Sequence, residues 1–182
     1  FNTRDVGGYL TLNGKRTKQN LLFRGGLLSP CKHYEDECLT KNGKAYMSDV
    51  LGIKTEIDFR PIEEAETGDD SAIPNAKLIY AFIHGYDAII NHAEGYKKLF
   101  SILTDEANYP IYMHCTGGAD RTGTVCYIIN AILGVDEKTL IEDYEFTTFS
   151  FFATSIAFAV PFNSFCSTKV TFAIVSGYFT RL

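Results

Sequence analysis

The chain has 182 residues, which suits one domain with a sizeable hydrophobic core. Its formal net charge of −5 excludes a general basic surface, so we expect no nucleic-acid partner. Of the five cysteines, Cys31, Cys38 and Cys166 show no metal-ligand spacing with histidines, and we favour free thiols over a Cys31–Cys38 pair. We expect neither a metal nor another cofactor.

The first half of the chain alternates turns, strands and helices. Residues 1–30 are rich in turns, with a hairpin turn predicted at Asn13-Gly14 and a strand at 21–24. A polar, mostly helical stretch at 31–52 ends at Gly52, which suits the residue after a helix. A buried strand is predicted at 53–59. A helix turn that begins with proline and acidic residues follows at 61–66, and another strand at 77–83.

The second half continues the alternation. Apolar spacing predicts an amphipathic helix at 86–104, and a short apolar strand follows at 111–114. An apolar helix at 121–133 is closed by Gly134, and a further helix with an acidic first turn is predicted at 136–144. Strands that alternate with helices indicate an α/β fold with a mainly parallel central sheet flanked by helices.

The segment between the strand at 111–114 and the apolar helix carries the strongest functional signal. It places a His-Cys pair six residues before an arginine that opens a helix. A loop of this length can wrap one phosphate, because its backbone N–H groups form an anion nest at a helix N-terminus. The candidate phosphate-binding residues are Thr116, Gly117, Gly118, Ala119 and Thr122.

Each reactive side chain of this loop suits one step of phosphoester cleavage. Cys115 supplies a thiolate nucleophile in a positive environment, and Arg121 offers a planar fork for two phosphoryl oxygens. Thr122 can donate its hydroxyl to the Cys115 sulfur when the phosphocysteine breaks down. Asp120 can protonate the leaving oxygen and then activate water. The alternative is a buried structural cysteine beside a helix cap.

Four blocks in the same order resemble the bacterial tyrosine phosphatase family, which includes the secreted, lipid-active phosphatases of mycobacteria and Listeria. They are Asn-Thr-Arg-Asp-Val-Gly-Gly-Tyr at 2–9, Leu-Phe-Arg-Gly-Gly-Leu-Leu-Ser at 22–29, Glu-Ile-Asp-Phe-Arg at 56–60 and the Cys115 loop. The resemblance implies a protein-tyrosine-phosphatase-like fold and a phosphatase domain at 1–150. It also implies that His114 orders the loop by hydrogen bonding.

The resemblance favours Asp120 as general acid, with Asp58 as the second candidate at the end of a predicted strand. Asp58 and Arg60 have another interpretation as a structural ion pair, with Arg24 or Asp5 as a further member. A loop-bracing pair of Arg4 with Asp5 is equally open.

The expected substrate is a phosphorylated protein or peptide, with phosphotyrosine first. Dual-specificity and phosphoinositide phosphatases remain alternatives, although Ala119 stands where many members carry a lysine that would favour multiply phosphorylated headgroups. A catalytically weak phosphate-binding module is a further alternative. Sulfurtransferases and arsenate reductases also use a loop cysteine, but their loops lack the Asp-Arg-Thr-Gly ending.

Residues 151–182 form an atypical apolar segment with no acid and two basic residues. Pro161 interrupts its apolar run, which is too short to span a bilayer. A hairpin, a membrane-surface segment, a lid and an altered reading frame are the open interpretations. A reactive thiolate slightly favours the cytoplasm, and secretion stays open because relatives are secreted.

Overall fold

The computed structural model describes residues 2–29, 39–65, 70–84 and 93–151, the last four without their side chains. Five strands and five α-helices make up the described part. The strands are β1 (Arg4–Asp5), β2 (Leu22–Gly25), β3 (Thr55–Asp58), β4 (Lys77–Tyr80) and β5 (Ile111–His114). The helices are α1 (Lys41–Ala45), which continues as a π-helical turn at Tyr46–Val50, α2 (Ile62–Ala65), α3 (Ala93–Leu103), α4 (Asp120–Ile132) and α5 (Glu137–Phe151).

The strands form one sheet in the order β1-β2-β5-β3-β4. Only β1 pairs antiparallel, so the expected mainly parallel sheet is confirmed. The last strand in sequence, β5, lies between β2 and β3, and its His114 is in register with Gly25 on one side and Asp58 on the other. The carboxyl ends of three strands therefore meet beside the residue that follows β5, which is where open α/β sheets place their sites.

Both faces of the sheet are covered, and β5 is buried throughout. Ile111 and Met113 face a core cluster completed by α3 and α4 residues such as Leu99 and Val125. Tyr112 faces the opposite cluster, which includes Met47 from the π-helical turn. A strand enclosed on both faces reads as a continuous apolar run, which explains the sequence of β5.

The predicted elements are present, with shifted ends. Helix α4 begins one residue before the expected 121–133. Helix α5 begins at Glu137, directly after Asp136, whose carboxylate accepts the Thr139 N–H at 3.1 Å, and it runs to Phe151, beyond the expected end at 144. The expected strand 77–83 ends at Tyr80, although the Ala81 and Ile83 N–H groups still bond to β3 and its flank. Parts of two predicted helices, 31–38 and 86–92, and the C-terminal segment from residue 152 lie outside the described residues.

The predicted turn glycines adopt the conformations that favour glycine. Gly14 has φ +78° in a turn closed by its N–H to Thr11, and Gly52 and Gly134 follow helical segments at φ +64° and +83°. Within the described ranges, no helix has the length and hydrophobicity to cross a bilayer.

Candidate active site

Cys115 lies at the centre of the sheet's carboxyl edge. It follows β5 directly, its residue is 3% exposed and its thiol is not in a disulfide. The loop from Cys115 to Ala119 joins β5 to α4, whose first residue is Asp120. No side chain caps the start of α4, which leaves its first N–H groups for an anion.

The first two carbonyl groups of the loop are held from outside it. The Cys115 carbonyl accepts a hydrogen bond from His114 Nδ1 at 3.1 Å. The Thr116 carbonyl accepts one from the Leu27 backbone N–H at 3.0 Å. The block at 22–29 therefore packs its backbone directly against the catalytic loop.

The carbonyl of Gly118 is held by two further donors. Arg24 Nη2 donates to it at 2.8 Å and Asn2 Nδ2 at 2.9 Å. Gly118 has φ +66°, and a Cβ added there would lie 2.3 Å from the Gly25 carbonyl oxygen. Only glycine satisfies both the conformation and the close approach.

These outward carbonyls fix the direction of the loop's N–H groups. In a trans peptide the C=O and the following N–H point to opposite sides of the plane, and none of the loop peptides is cis. The N–H groups of Thr116, Gly117 and Ala119 therefore point away from His114, Leu27 and Arg24. Several aligned N–H groups of this kind form an anion nest.

His114 lies between two acceptors directly before Cys115. Its Nδ1 meets the Cys115 carbonyl and its Nε2 meets Glu56 Oε1 at 2.9 Å. Two acceptors favour the imidazolium form, which alone has an N–H at both ring nitrogens. Burial alone would lower the His114 pKa, but its bond to Glu56 and the charge of Asp58 leave that pKa raised. The Glu56 carboxylate is fixed in turn by the Ser71 hydroxyl and the Ala72 N–H.

Arg121 is oriented by Glu64 of α2. Its Nη1 and Nη2 donate to the two Glu64 carboxylate oxygens at 3.0 and 2.8 Å, and the Thr116 hydroxyl adds a bond at 2.8 Å. The Arg121 hydrogen bond is the main reason that the Glu64 pKa is lowered. This fork-to-fork pair fixes the guanidinium plane and leaves its other N–H groups for a ligand.

Asp58 and Arg60 form a buried ion pair. Both residues are about 2% exposed or less, and Arg60 donates from Nε, Nη2 and its backbone N–H to the Asp58 carboxylate, the shortest bond being 2.7 Å. The expected extension to Arg24 or Asp5 is wrong. Arg24 pairs with Asp143 at 3.2 Å, because its guanidinium points across the sheet edge to α5.

The expected pairing of Arg4 with Asp5 is wrong as well. Adjacent residues of a strand point to opposite faces, and the two side chains separate accordingly. Arg4 Nε donates to Asp143 at 3.1 Å. The Asp5 carboxylate instead accepts the backbone N–H groups of Gly7 and Asn20.

Two other predicted residues lie at the start of α4. Asp120 is exposed as the first residue of the helix. Thr122 is fully buried, and its hydroxyl makes no hydrogen bond within the described part of the chain. The expected bond from Thr122 to the Cys115 sulfur is therefore not formed in this structure.

A family profile described as the tyrosine phosphatase family matches residues 1–157. The chain belongs to this family. The match covers every described strand and helix, including the loop at Cys115.

The chain is also similar to a curated protein from Cupriavidus necator that is provisionally named a tyrosine-protein phosphatase. It is 24% identical over 171 residues, which cover 79% of this chain and 59% of the relative. The chain thus spans about three fifths of the relative's length.

Two solved structures are similar to the chain at low identity. The core catalytic domain of the S. cerevisiae PP-IP phosphatase Siw14, in complex with citrate, has a TM-score of 0.50 and 16% identity, over 80% of this chain and 77% of that one. P. aeruginosa TpbA, in complex with pTyr, has a TM-score of 0.47 and 18% identity, over 71% and 70%.

The sequence patterns of this phosphatase-family chain did not single out two residues that hold the loop. Glu64 was expected only as an acid in a helix turn, although its place after β3 puts it at the sheet edge where functional groups collect. Asp143, in α5, belongs to no motif. Among the described residues, no group of three or more histidine, cysteine or acidic side chains is arranged to hold a metal ion.

Proposed function

We propose that the chain hydrolyses phosphate monoesters through a phosphocysteine intermediate. One observation supports the proposal: Cys115 begins a loop in which His114, Leu27 and Arg24 hold three backbone carbonyls, so that the N–H groups that follow them point the other way. Such a loop binds a phosphate dianion and stabilises the charge of its equatorial oxygens in the transition state. Arg121, already oriented by Glu64, adds a charged fork.

The reaction has two steps. The Cys115 thiolate attacks phosphorus, the bond to the leaving oxygen breaks, and Asp120 gives that oxygen a proton. A water then attacks the phosphocysteine, Asp120 accepts its proton, and the sulfur leaves as thiolate with inorganic phosphate as product. His114 and Arg121 stabilise the thiolate by charge. Thr122, in the first turn of α4, donates its hydroxyl to the sulfur as the phosphocysteine breaks down.

Asp120 suits the acid role better than Asp58. A general acid must carry a proton and reach solvent or substrate. Asp120 is exposed at the start of α4, whereas Asp58 is buried and both of its carboxylate oxygens are occupied by Arg60 donors.

Phosphotyrosine proteins or peptides are the preferred substrate class. Ala119 adds no charge at the loop, which favours a single phosphate over a multiply phosphorylated inositol. The relative's name, tyrosine-protein phosphatase, agrees with this choice. Siw14 is named a PP-IP phosphatase, so inositol polyphosphates form the competing class.

The deciding experiment is hydrolysis of para-nitrophenyl phosphate by the full chain and its Cys115→Ser variant at mildly acidic pH. Turnover that disappears in the folded variant supports the thiolate mechanism, and turnover that persists contradicts it. A folded but inactive parent chain that still binds phosphate would indicate the binding module instead. Asp120→Asn should slow alkyl phosphates more than aryl phosphates, because a poor leaving group needs the proton; equal losses would move the acid role to Asp58.

A further inference from the structure

The carboxylate of Asp143 in α5 collects donors from the N-terminal part of the chain. Its Oδ1 accepts hydrogen bonds from Arg4 Nε at 3.1 Å and the Tyr9 hydroxyl at 2.8 Å, and its Oδ2 accepts one from Arg24 Nη1 at 3.2 Å. The Asp143 side chain is 10% exposed. Burial, followed by the bond to Asp143, raises the Tyr9 pKa, so Tyr9 remains a neutral donor.

One route leads from Asp143 to the catalytic loop through Arg24. The Arg24 side chain is 1% exposed and donates from Nη1 to Asp143 and from Nη2 to the Gly118 carbonyl at 2.8 Å. It passes close to Gly123 of α4, where an added Cβ would lie 3.2 Å from Arg24 Nη2. A buried guanidinium needs a counterion, and Asp143 is the acid that pairs with it.

A second route leads to the same carbonyl through Arg4 and Asn2. Arg4 is held by Asp143 twice, at the carboxylate and at the backbone carbonyl, where Nη2 donates at 2.8 Å. Arg4 Nη1 donates to Asn2 Oδ1, which leaves Asn2 Nδ2 directed at the Gly118 carbonyl at 2.9 Å. Both donors to this carbonyl are therefore linked to the Asp143 carboxylate, and Arg4 and Arg24 each also donate to the Thr147 hydroxyl at 3.4 Å.

We propose that Asp143 is a positioning residue for phosphate binding. By aiming Arg24 and Asn2 at the Gly118 carbonyl, it keeps that carbonyl outward and the Ala119 N–H directed into the loop. Without the carboxylate, the peptide between Gly118 and Ala119 is free to rotate and the loop loses one phosphate donor. The inference rests on the proposed function only in taking phosphate as the ligand, because the anchoring contacts belong to the structure itself.

The test measures binding of inorganic phosphate to the full chain, as protection of Cys115 from iodoacetamide followed by mass spectrometry of its peptide. Asp143→Asn should weaken phosphate protection about tenfold and lower kcat/KM for para-nitrophenyl phosphate by a similar factor. Tyr9→Phe removes a donor to the same carboxylate without any route to the loop, so it should stay within about twofold of the parent chain. Asp136→Asn disturbs only the cap of α5 and controls for loss of helix stability.

A comparison in a double variant separates positioning from general destabilisation. Asn2→Ala and Arg24→Met together remove both donors to the Gly118 carbonyl, so Asp143 has nothing left to position in that background. Adding Asp143→Asn to the double variant should therefore weaken phosphate binding by less than a further twofold. The proposal is overturned if phosphate protects Cys115 as well in Asp143→Asn, shown to be folded by circular dichroism, as it does in Tyr9→Phe. It is also overturned if phosphate does not protect Cys115 in the parent chain at all. A parent chain that binds phosphate but lacks turnover would defeat the proposed function and leave the positioning role supported or refuted by the protection data alone.

Discussion

His114 shows how a single buried residue ties the site to pH. Its raised pKa means that the folded chain holds a proton that the unfolded chain releases near the ordinary value of 6.5. The stabilising contribution is complete below that value and is lost as the pH rises through the folded pKa.

Glu56 has the opposite pH dependence. Burial would raise its pKa, but the bond from His114 leaves that pKa lowered. The contribution of Glu56 to the stability of the fold is present above the ordinary 4.5 and is lost as the pH falls through the folded value.

We therefore expect Glu56→Gln to change the pH dependence of stability. The parent chain should lose urea resistance as the pH rises from about 6.5, and the variant, whose histidine is no longer held charged, should lack that part of the decline. At pH 6 the variant should be on the order of 3 kcal/mol less stable, because the buried partner is left unpaired. Parallel curves for the two proteins between pH 6 and 9 would contradict the charged His114.

Glu64 gives a second prediction at the residue scale. Glu64→Gln keeps one acceptor but removes the charge that orients Arg121, so kcat/KM for para-nitrophenyl phosphate should fall by a factor of about three to ten, a modest effect because the Glu64 side chain is 40% exposed. Glu63→Gln, at the neighbouring exposed position, should leave the rate unchanged. Equal effects of the two substitutions would mean that the Glu64–Arg121 pair is only a surface ion pair.

At the scale of elements, the loop depends on the backbone of its neighbour β2. Gly118→Ala would place a Cβ 2.3 Å from the Gly25 carbonyl in a left-handed conformation, whereas Gly14→Ala meets the same conformational cost with no atom within 4 Å. We expect Gly14→Ala to lose about 1 kcal/mol of unfolding free energy and no activity. Gly118→Ala should lose more stability and about 100-fold in kcat/KM, because the loop must shift. Equal stability and activity in the two variants would rule out the close contact.

The elements that local patterns predict are those whose residues interact along the chain. The apolar run of β5, the cap at Asp136 and the turn glycine at Gly14 can all be recognised from a few adjacent positions. The ends are less predictable, since the strand after Ala76 stops at Tyr80 although its backbone continues to bond to the flank of β3. Tertiary contacts decide where pairing ends, and a single sequence does not contain them.

At the scale of the whole molecule, the loop between Cys115 and Arg121 was predictable and its supports were not. The two residues are six positions apart, so their place on one connection between β5 and α4 follows from spacing. Asp143 meets Arg24 across 119 residues and Glu64 meets Arg121 across 57, contacts that arise only when β5 inserts between β2 and β3. The wrong pairings of Arg4 and Arg24 have the same cause, because their partner Asp143 is distant from both in the sequence.

The same long-range contacts define how much chain the site needs. In the described part of the chain, the contacts that hold the Cys115–Ala119 loop and those that anchor Arg4 and Arg24 come from residues 2–147, the last of them being the Thr147 hydroxyl, and the family match ends at residue 157. A chain that stops after residue 157 should therefore keep the activity of the full chain towards para-nitrophenyl phosphate within about threefold. A chain that stops after residue 142 lacks Asp143 and Thr147 and should lose it, because Arg4 and Arg24 are then unanchored. Loss of folding in the 157-residue chain would instead mean that residues 158–182 complete the domain, which would place its boundary beyond the proposed 1–150.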